Sequence, residues 1–242
     1  MDSKRFWNQT FSRGPDTEYS RVGLPQGPDP VLEAALRHFG NIQGKRVVDL
    51  GCGSGKASLL FASLGSHVIS IDQSDVAIAN LRAFCSSNRI TNVRAMHLSA
   101  LNIAELGPVD FVFGSMILHH IEPFAAFVGA LRSVLPCKGK AFFWENNAFS
   151  PLLIWFRQNV VGKLWVPKYG DDEEFPLMPR EIDVLRRHFT VQLAYPDLVF
   201  FRLISQYLLR GHLETPFRLL DRIFYKWPAF RKRSYHQYVY LS

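Results

Sequence analysis

The sequence predicts a doubly wound α/β fold on a mostly parallel, seven-stranded sheet, with an α-helical lid formed by late insertions. Three observations carry this. Short β-branched runs alternate with helical segments of about 10–15 residues between positions 46 and 145, the rhythm of βαβ units. The first run stops at a glycine cluster, Gly51-Cys52-Gly53-Ser54-Gly55, which turns a strand into a helix. With 48% hydrophobic and 20% charged residues, the chain can bury both faces of such a sheet.

Taken in order, residues 1–30 are polar and rich in Gly and Pro, with scattered aromatics (Phe6, Trp7, Phe11, Tyr19), and read as an arm or lid. Asp29 is an N-cap with Pro30 in the first helical position, and Val31, Leu32, Ala35, Leu36 and Phe39 recur at helical spacing. A cofactor-binding core is expected over 31–145. Its strands are Arg46–Leu50, His67–Ile71, Val93–Leu98, Val109–Gly114 and Lys140–Glu145, and its helices Lys56–Leu64, Asp75–Ser87 (capped by Ser74) and Phe124–Leu135. From Asn146 the rhythm breaks, and 146–242 is expected to hold substrate-lid insertions and the last strands. Ser150–Val166 is apolar and aromatic, Asp171–Glu174 is acidic, and a helix follows Pro179. Phe189–Leu193 and Tyr235–Leu241 read as the sixth and seventh strands. Between them, Phe200–Trp227 reads as two amphipathic helices split near Gly211 and Pro216.

The 242 residues suit one domain with appendages. Three widely spaced cysteines (Cys52, Cys85, Cys137) form no CxxC pair, which argues against a disulfide framework or structural zinc and for a reducing cytoplasm. MDSKRFWNQT lacks the apolar core of a signal peptide, and no window approaches the roughly 18 apolar residues of a membrane span. The net charge of +7 is unevenly placed. From Phe200 to Ser242 there are eight lysines and arginines against two acids, so nearly all the excess lies there.

The glycine turn fits neither common phosphate site. From Gly51 the sixth position is Lys56, so the pattern is G-x-G-x-G rather than G-x-G-x-x-G, and no P-loop is present. Asp49 at the strand end would repel a pyrophosphate but welcome an ammonium or sulfonium group. Asp72, 21 residues after Gly51 at the end of the second strand, suits vicinal ribose hydroxyls. A nucleoside bearing an amino-acid cation describes S-adenosylmethionine. VVDLGCGSG (47–55), VISIDQS (68–74) and VDFVFGSMILHHI (109–121) resemble the class I S-adenosylmethionine-dependent methyltransferases, over roughly 40–145. The resemblance implies a Rossmann-like core. It also implies that Asp49, Gly51 and Gly53 lie at the cofactor's amino end, Asp72 on the ribose and Gln73 by the adenine. Ser99, Ala100 and Leu101 would frame the adenine, and Ser115 and Met116 the methionine portion. Many relatives have Asp where Ser99 stands.

Methyl transfer needs alignment, exclusion of water and deprotonation of a weak nucleophile. His119, ahead of His120, is the candidate general base, and Glu145 is a contact to substrate or a cap on the following helix. No metal constellation is visible in the sequence. The segments Met1–Gly27, Asn146–Pro179 and Leu198–Arg233 should set the acceptor. The last interleaves bulky apolar residues with Arg202, Arg210, Arg218, Arg222, Lys226 and Arg231-Lys232-Arg233. This points to a small, lipophilic or lipid-like acceptor, methylated on oxygen, and to an anionic membrane surface met through 200–233. A nucleic-acid partner is not expected, since the basic residues sit among bulky aliphatics. A sugar or other polar metabolite is the alternative acceptor, and a non-catalytic binding subunit the alternative of another class.

Overall fold

The computed structural model describes residues 3–12, 29–159, 176–209 and 212–242. In chain order its elements are α1 (Ser3–Ser12), α2 (Pro30–Phe39), β1 (Arg46–Leu50), α3 (Lys56–Ser63), β2 (His67–Asp72), α4 (Asp75–Ser87) and β3 (Val93–His97). A 3₁₀ turn at Ala100–Leu106 leads to β4 (Phe111–Ser115), and a second at Leu118–His120 leads to α5 (Phe124–Val134) and β5 (Lys140–Asn146). Then come α6 (Pro151–Asn159), α7 (Pro179–Arg186), β6 (Val191–Ala194), α8 (Phe201–Leu208), α9 (Glu214–Tyr225), α10 (Pro228–Arg231) and β7 (His236–Leu241).

The seven strands form one sheet in the order β3-β2-β1-β4-β5-β7-β6. The first five are parallel, and β7 runs antiparallel to both β5 and β6. Because helices cover both faces, the central strands are apolar almost throughout rather than alternating. On β5, Ala141 and Phe143 join a core with Leu131 of α5, Leu185 of α7 and Val239 of β7. Phe142 faces the other way, into a core with Phe39, Phe61, Phe111 and Phe113 under α2 and α3. The reversal of strand order between β1 and β4 opens the crevice in which ligands of such sheets bind.

Local signals act as expected at several ends. Asp29 accepts the N–H groups of Val31 and Leu32, and Ser74 that of Ala77. The fourth strand starts two residues later than its apolar run. The Val109 N–H bonds to Val134 O at the end of α5, so Val109 belongs to the loop although its side chain is buried. The N-terminal arm is helical over Ser3–Ser12, where composition suggested only an arm or lid. Its remainder, 13–28, the stretch 160–175 with its acidic run, and Arg210-Gly211 lie outside the described residues.

The helix pair α8–α9 is held from inside. Asp221 of α9 is buried and accepts the N–H groups of Phe200, Phe201 and Arg202 at 3.1, 2.8 and 3.1 Å, capping α8 from 20 residues downstream. Phe201 packs on Phe224 with ring centroids 5.0 Å apart. The break between the helices falls before Glu214, and Pro216 lies in the first turn of α9, where its missing N–H costs nothing. Outward, Leu219, Ile223 and Trp227 stand 57%, 44% and 54% exposed.

Candidate active site

Strand β1 delivers the glycine turn to the crevice. Gly51 and Gly53 adopt φ of +69° and +48°, where a side chain would be strained, and a Cβ on Gly51 would sit 2.7 Å from Ile117 Cδ1. The N–H groups of Gly51 and Cys52 both donate to Ile71 O at the end of β2 (2.8 and 3.0 Å). Asp72, next along β2, accepts the Gly53 N–H at 2.9 Å on one carboxylate oxygen and the Ser74 N–H at 2.8 Å on the other. Burial pushes its carboxyl above the usual range, against the pull of these N–H groups. Each oxygen keeps lone pairs for a diol.

Two cavities flank the turn. The first, about 230 Å³, is walled by Leu50, Ile71, Leu98, Ala100, Ile117 and Ile121, with Asp72 and Gln73 on its polar side. The second, about 400 Å³, is lined by Asp49, Cys52, Ser54 and Trp144, with Asp29 and Lys56 paired at 2.6 Å beside them. Gly51, Gly53 and Ser115 line both, as do Trp7 and Phe11 of α1. Asp49 is buried and anchored by the N–H and hydroxyl of Ser58 at 3.0 and 2.5 Å. Burial nevertheless raises its carboxyl to about 6. A buried carboxylate so displaced gains most from a ligand's positive charge. An apolar slot with a diol acceptor at one end and a buried acid at the other therefore fits a nucleoside joined to an amino-acid cation.

The match to known proteins agrees. Residues 47–139 match the family described as "Methyltransferase domain". A ubiquinone biosynthesis O-methyltransferase of Burkholderia pseudomallei is 33% identical over 170 residues, 69% of this chain and 72% of that protein. The chain belongs to the class I S-adenosylmethionine-dependent methyltransferases. A second protein of the same name, from Paraburkholderia xenovorans, is 33% identical over 121 residues, and there the match spans about half of that protein (52%) and 49% of this chain. Among solved structures, a SAM dependent methyltransferase from Aquifex aeolicus shares the fold over 97% of both chains, with a TM-score of 0.57 at 16% identity. A DhpI–SAM–HEP complex does so over 100% of this chain and 99% of that one, with a TM-score of 0.55 at 16% identity. The cofactor of this methyltransferase is S-adenosylmethionine.

The structure gathers most of the expected cofactor residues. Asp49, Gly51, Gly53, Asp72, Gln73, Ala100, Ser115 and Met116 all line the two cavities. Ser99 and Leu101 do not. Ser99 caps the 3₁₀ turn through the Leu101 N–H, and Leu101 packs against the core. Met116 holds φ of +54°, a strained conformation in the wall of the first cavity.

The two histidines separate. The His119 side chain is 1% exposed, and its Nδ1 lies 2.6 Å from Glu145 Oε2. It lines neither cavity, whereas His120 lines the first and meets Trp7 edge-on at 6.0 Å between ring centroids. The order in which the sequence ranks them is thus reversed in placement, because a 3₁₀ turn points successive side chains about 120° apart. Glu145 lines neither of these cavities, and its hydrogen bonds go to the turn before it rather than to the helix after it. It accepts the N–H groups of Ile117 and Leu118 at 2.9 and 2.7 Å, holding the turn that precedes it in the chain. Trp7 and Phe11 belong to the site although the sequence marked them only as aromatics in an arm. Their i, i+4 spacing was the available signal. Among the described residues, none of α8–α10 lines the two cavities.

Proposed function

We propose that this methyltransferase acts on a hydroxyl oxygen of a small lipophilic acceptor of the quinone-precursor class, with His120 as general base. The observation that carries the reading is the setting of His120. Its imidazole shares the cavity wall with Trp7, Met116, Ile117 and Ile121, apolar neighbours of a titratable group. The names of the relatives, ubiquinone biosynthesis O-methyltransferases, support oxygen as the accepting atom. Bound S-adenosylmethionine supplies an electrophilic methyl group on its sulfonium. Asp72 holds the ribose hydroxyls and Asp49 the amino group, while Trp7 and Phe11 exclude water over the glycine turn. His120 takes the acceptor's hydroxyl proton, and Glu145, through Ile117, Leu118 and His119, keeps the turn that carries it in place. His120→Ala should lower kcat roughly 10²–10⁴-fold with cofactor affinity retained. Full turnover of a phenol by that variant refutes the assignment. Labelled-methyl transfer to alkylated phenols but not to sugars is the expected acceptor profile, and the opposite profile selects the polar-metabolite reading.

An exposed stripe running from α9 to the cap of α10 extends this to delivery. Leu219, Ile223 and Trp227 repeat every fourth residue, each preceded by a base: Arg218, Arg222 and Lys226. Such a face suits an anionic membrane surface, at about 1 kcal/mol per basic residue. No helix among the described residues is long and apolar enough to cross a membrane. Sedimentation with anionic vesicles should be salt-sensitive and lost in Ile223→Glu, and indifference to vesicles removes this part of the reading.

A further inference from the structure

A third cavity, of about 310 Å³, lies beyond the carboxyl end of β5 and shares no lining residue with the two cofactor cavities. Its roof is a strap in which Asn147 pairs with Leu177, tied by the Leu177 N–H to Asn146 O at 3.1 Å and the Ala148 N–H to Leu177 O at 3.2 Å. Ile182 of α7 and Leu193 of β6 add apolar walls. Gln237 of β7 also lines the cavity. It is 2% exposed, and its Nε2 has no hydrogen-bond partner among the described residues.

That amide is the unexplained group. The register sets Gln237 opposite Glu145, and its strand neighbours at alternate positions, Val239 and Leu241, are core residues. An apolar residue at 237 would pack there without leaving a buried donor unpaired, and buried donors are nearly always paired. An acceptor atom arriving with a ligand resolves this. Lys232 also lines the cavity, is exposed, and forms no ion pair among the described residues.

We propose that this cavity is a binding site for a small amphipathic carboxylic acid. One carboxylate oxygen accepts from Gln237 Nε2, the ammonium of Lys232 balances the charge, and the apolar body packs on Leu177, Ile182 and Leu193. The site is independent of the methyl-transfer reading, since it uses none of the residues assigned to cofactor or base.

Calorimetric titration of the full chain with cyclohexanecarboxylate, and with the uncharged cyclohexanecarboxamide of the same shape, tests it. Both probes should bind saturably in the millimolar range or tighter, the carboxylate better. Gln237→Leu should weaken both roughly tenfold, and Lys232→Ala only the carboxylate. Leu193→Trp, which fills the cavity from the edge strand, should abolish both. Unchanged affinity for S-adenosylmethionine reports that each variant is folded. If Gln237→Leu loses that affinity, Leu193→Trp alone decides. The proposal is overturned if neither probe binds the wild-type chain, if Leu193→Trp binds both as tightly as wild type, or if only Lys232→Ala has an effect.

Discussion

Replacing Asp49 with Asn should stabilise the protein and cripple cofactor binding, and the size of the first effect follows from burial. Asp49 is enclosed at the end of β1, and its carboxyl is raised from 3.8 to about 6, chiefly by desolvation and against the help of Ser58. At about 1.4 kcal/mol per pH unit, keeping it ionised in the folded chain at neutral pH costs about 3 kcal/mol relative to the unfolded chain. A carboxyl raised in this way favours folding while it stays protonated. That advantage is complete below about pH 4 and is lost as the pH rises through about 6. Asn keeps an oxygen for the Ser58 N–H and has no charge to desolvate. Asp49→Asn should therefore match wild type near pH 4 and exceed it by about 3 kcal/mol at pH 7.5. Urea unfolding followed by circular dichroism across that range measures the difference. The same variant should bind S-adenosylmethionine roughly tenfold or more weakly, because the ammonium loses its charged partner. In wild type, cofactor binding near pH 6 should release a proton, visible as buffer-dependent calorimetric heats. A variant no more stable than wild type at pH 7.5, or a stability gap that does not change with pH, refutes the reasoning.

Other perturbations follow from the same geometry. Glu145→Ala orphans the Ile117 and Leu118 N–H groups and the His119 imidazole in a buried setting, and should cost about 3–5 kcal/mol in denaturant unfolding. Gly51→Ala combines a φ of +69° with a Cβ against Ile117, and should lose about 1–3 kcal/mol of stability and measurable cofactor affinity. Asp221→Ala removes the carboxylate that accepts three N–H groups at the start of α8. It should cost about 1–2 kcal/mol and speed amide hydrogen exchange at 200–202 more than in the central strands.

The sheet was legible because each central strand is buried on both faces and so reads as an apolar run ending at a glycine or a carboxylate. All seven expected strands lie within a residue or two of their observed bounds, and Asp29 and Ser74 cap where their side-chain chemistry says they should. The residues that line the crevice were legible for a related reason. Asp49, Gly51, Gly53 and Asp72 sit at the ends of β1 and β2, and parallel register alone brings those ends together. The choice between the two histidines was less accessible, since His119 and His120 are adjacent in sequence and differ only in which way one 3₁₀ turn points them. Nothing local marks Asp221 as the cap of a helix 20 residues earlier, or Gln237 as the floor of a cavity.

By itself, then, the sequence determined the α/β rhythm, the glycine turn, the two acids at the ends of β1 and β2 that line the crevice, and the basic, aromatic character of 200–233. Periodicity and chain connectivity suffice for these. Tertiary structure alone decided that α1, rather than the described residues of α8–α10, lines the two cavities beside the glycine turn, that Glu145 sequesters His119 while His120 lines the first of them, and that Leu219 and Ile223 of α9 face outward. Those outcomes depend on which helix faces meet across long sequence separations, and packing, not local propensity, makes that choice.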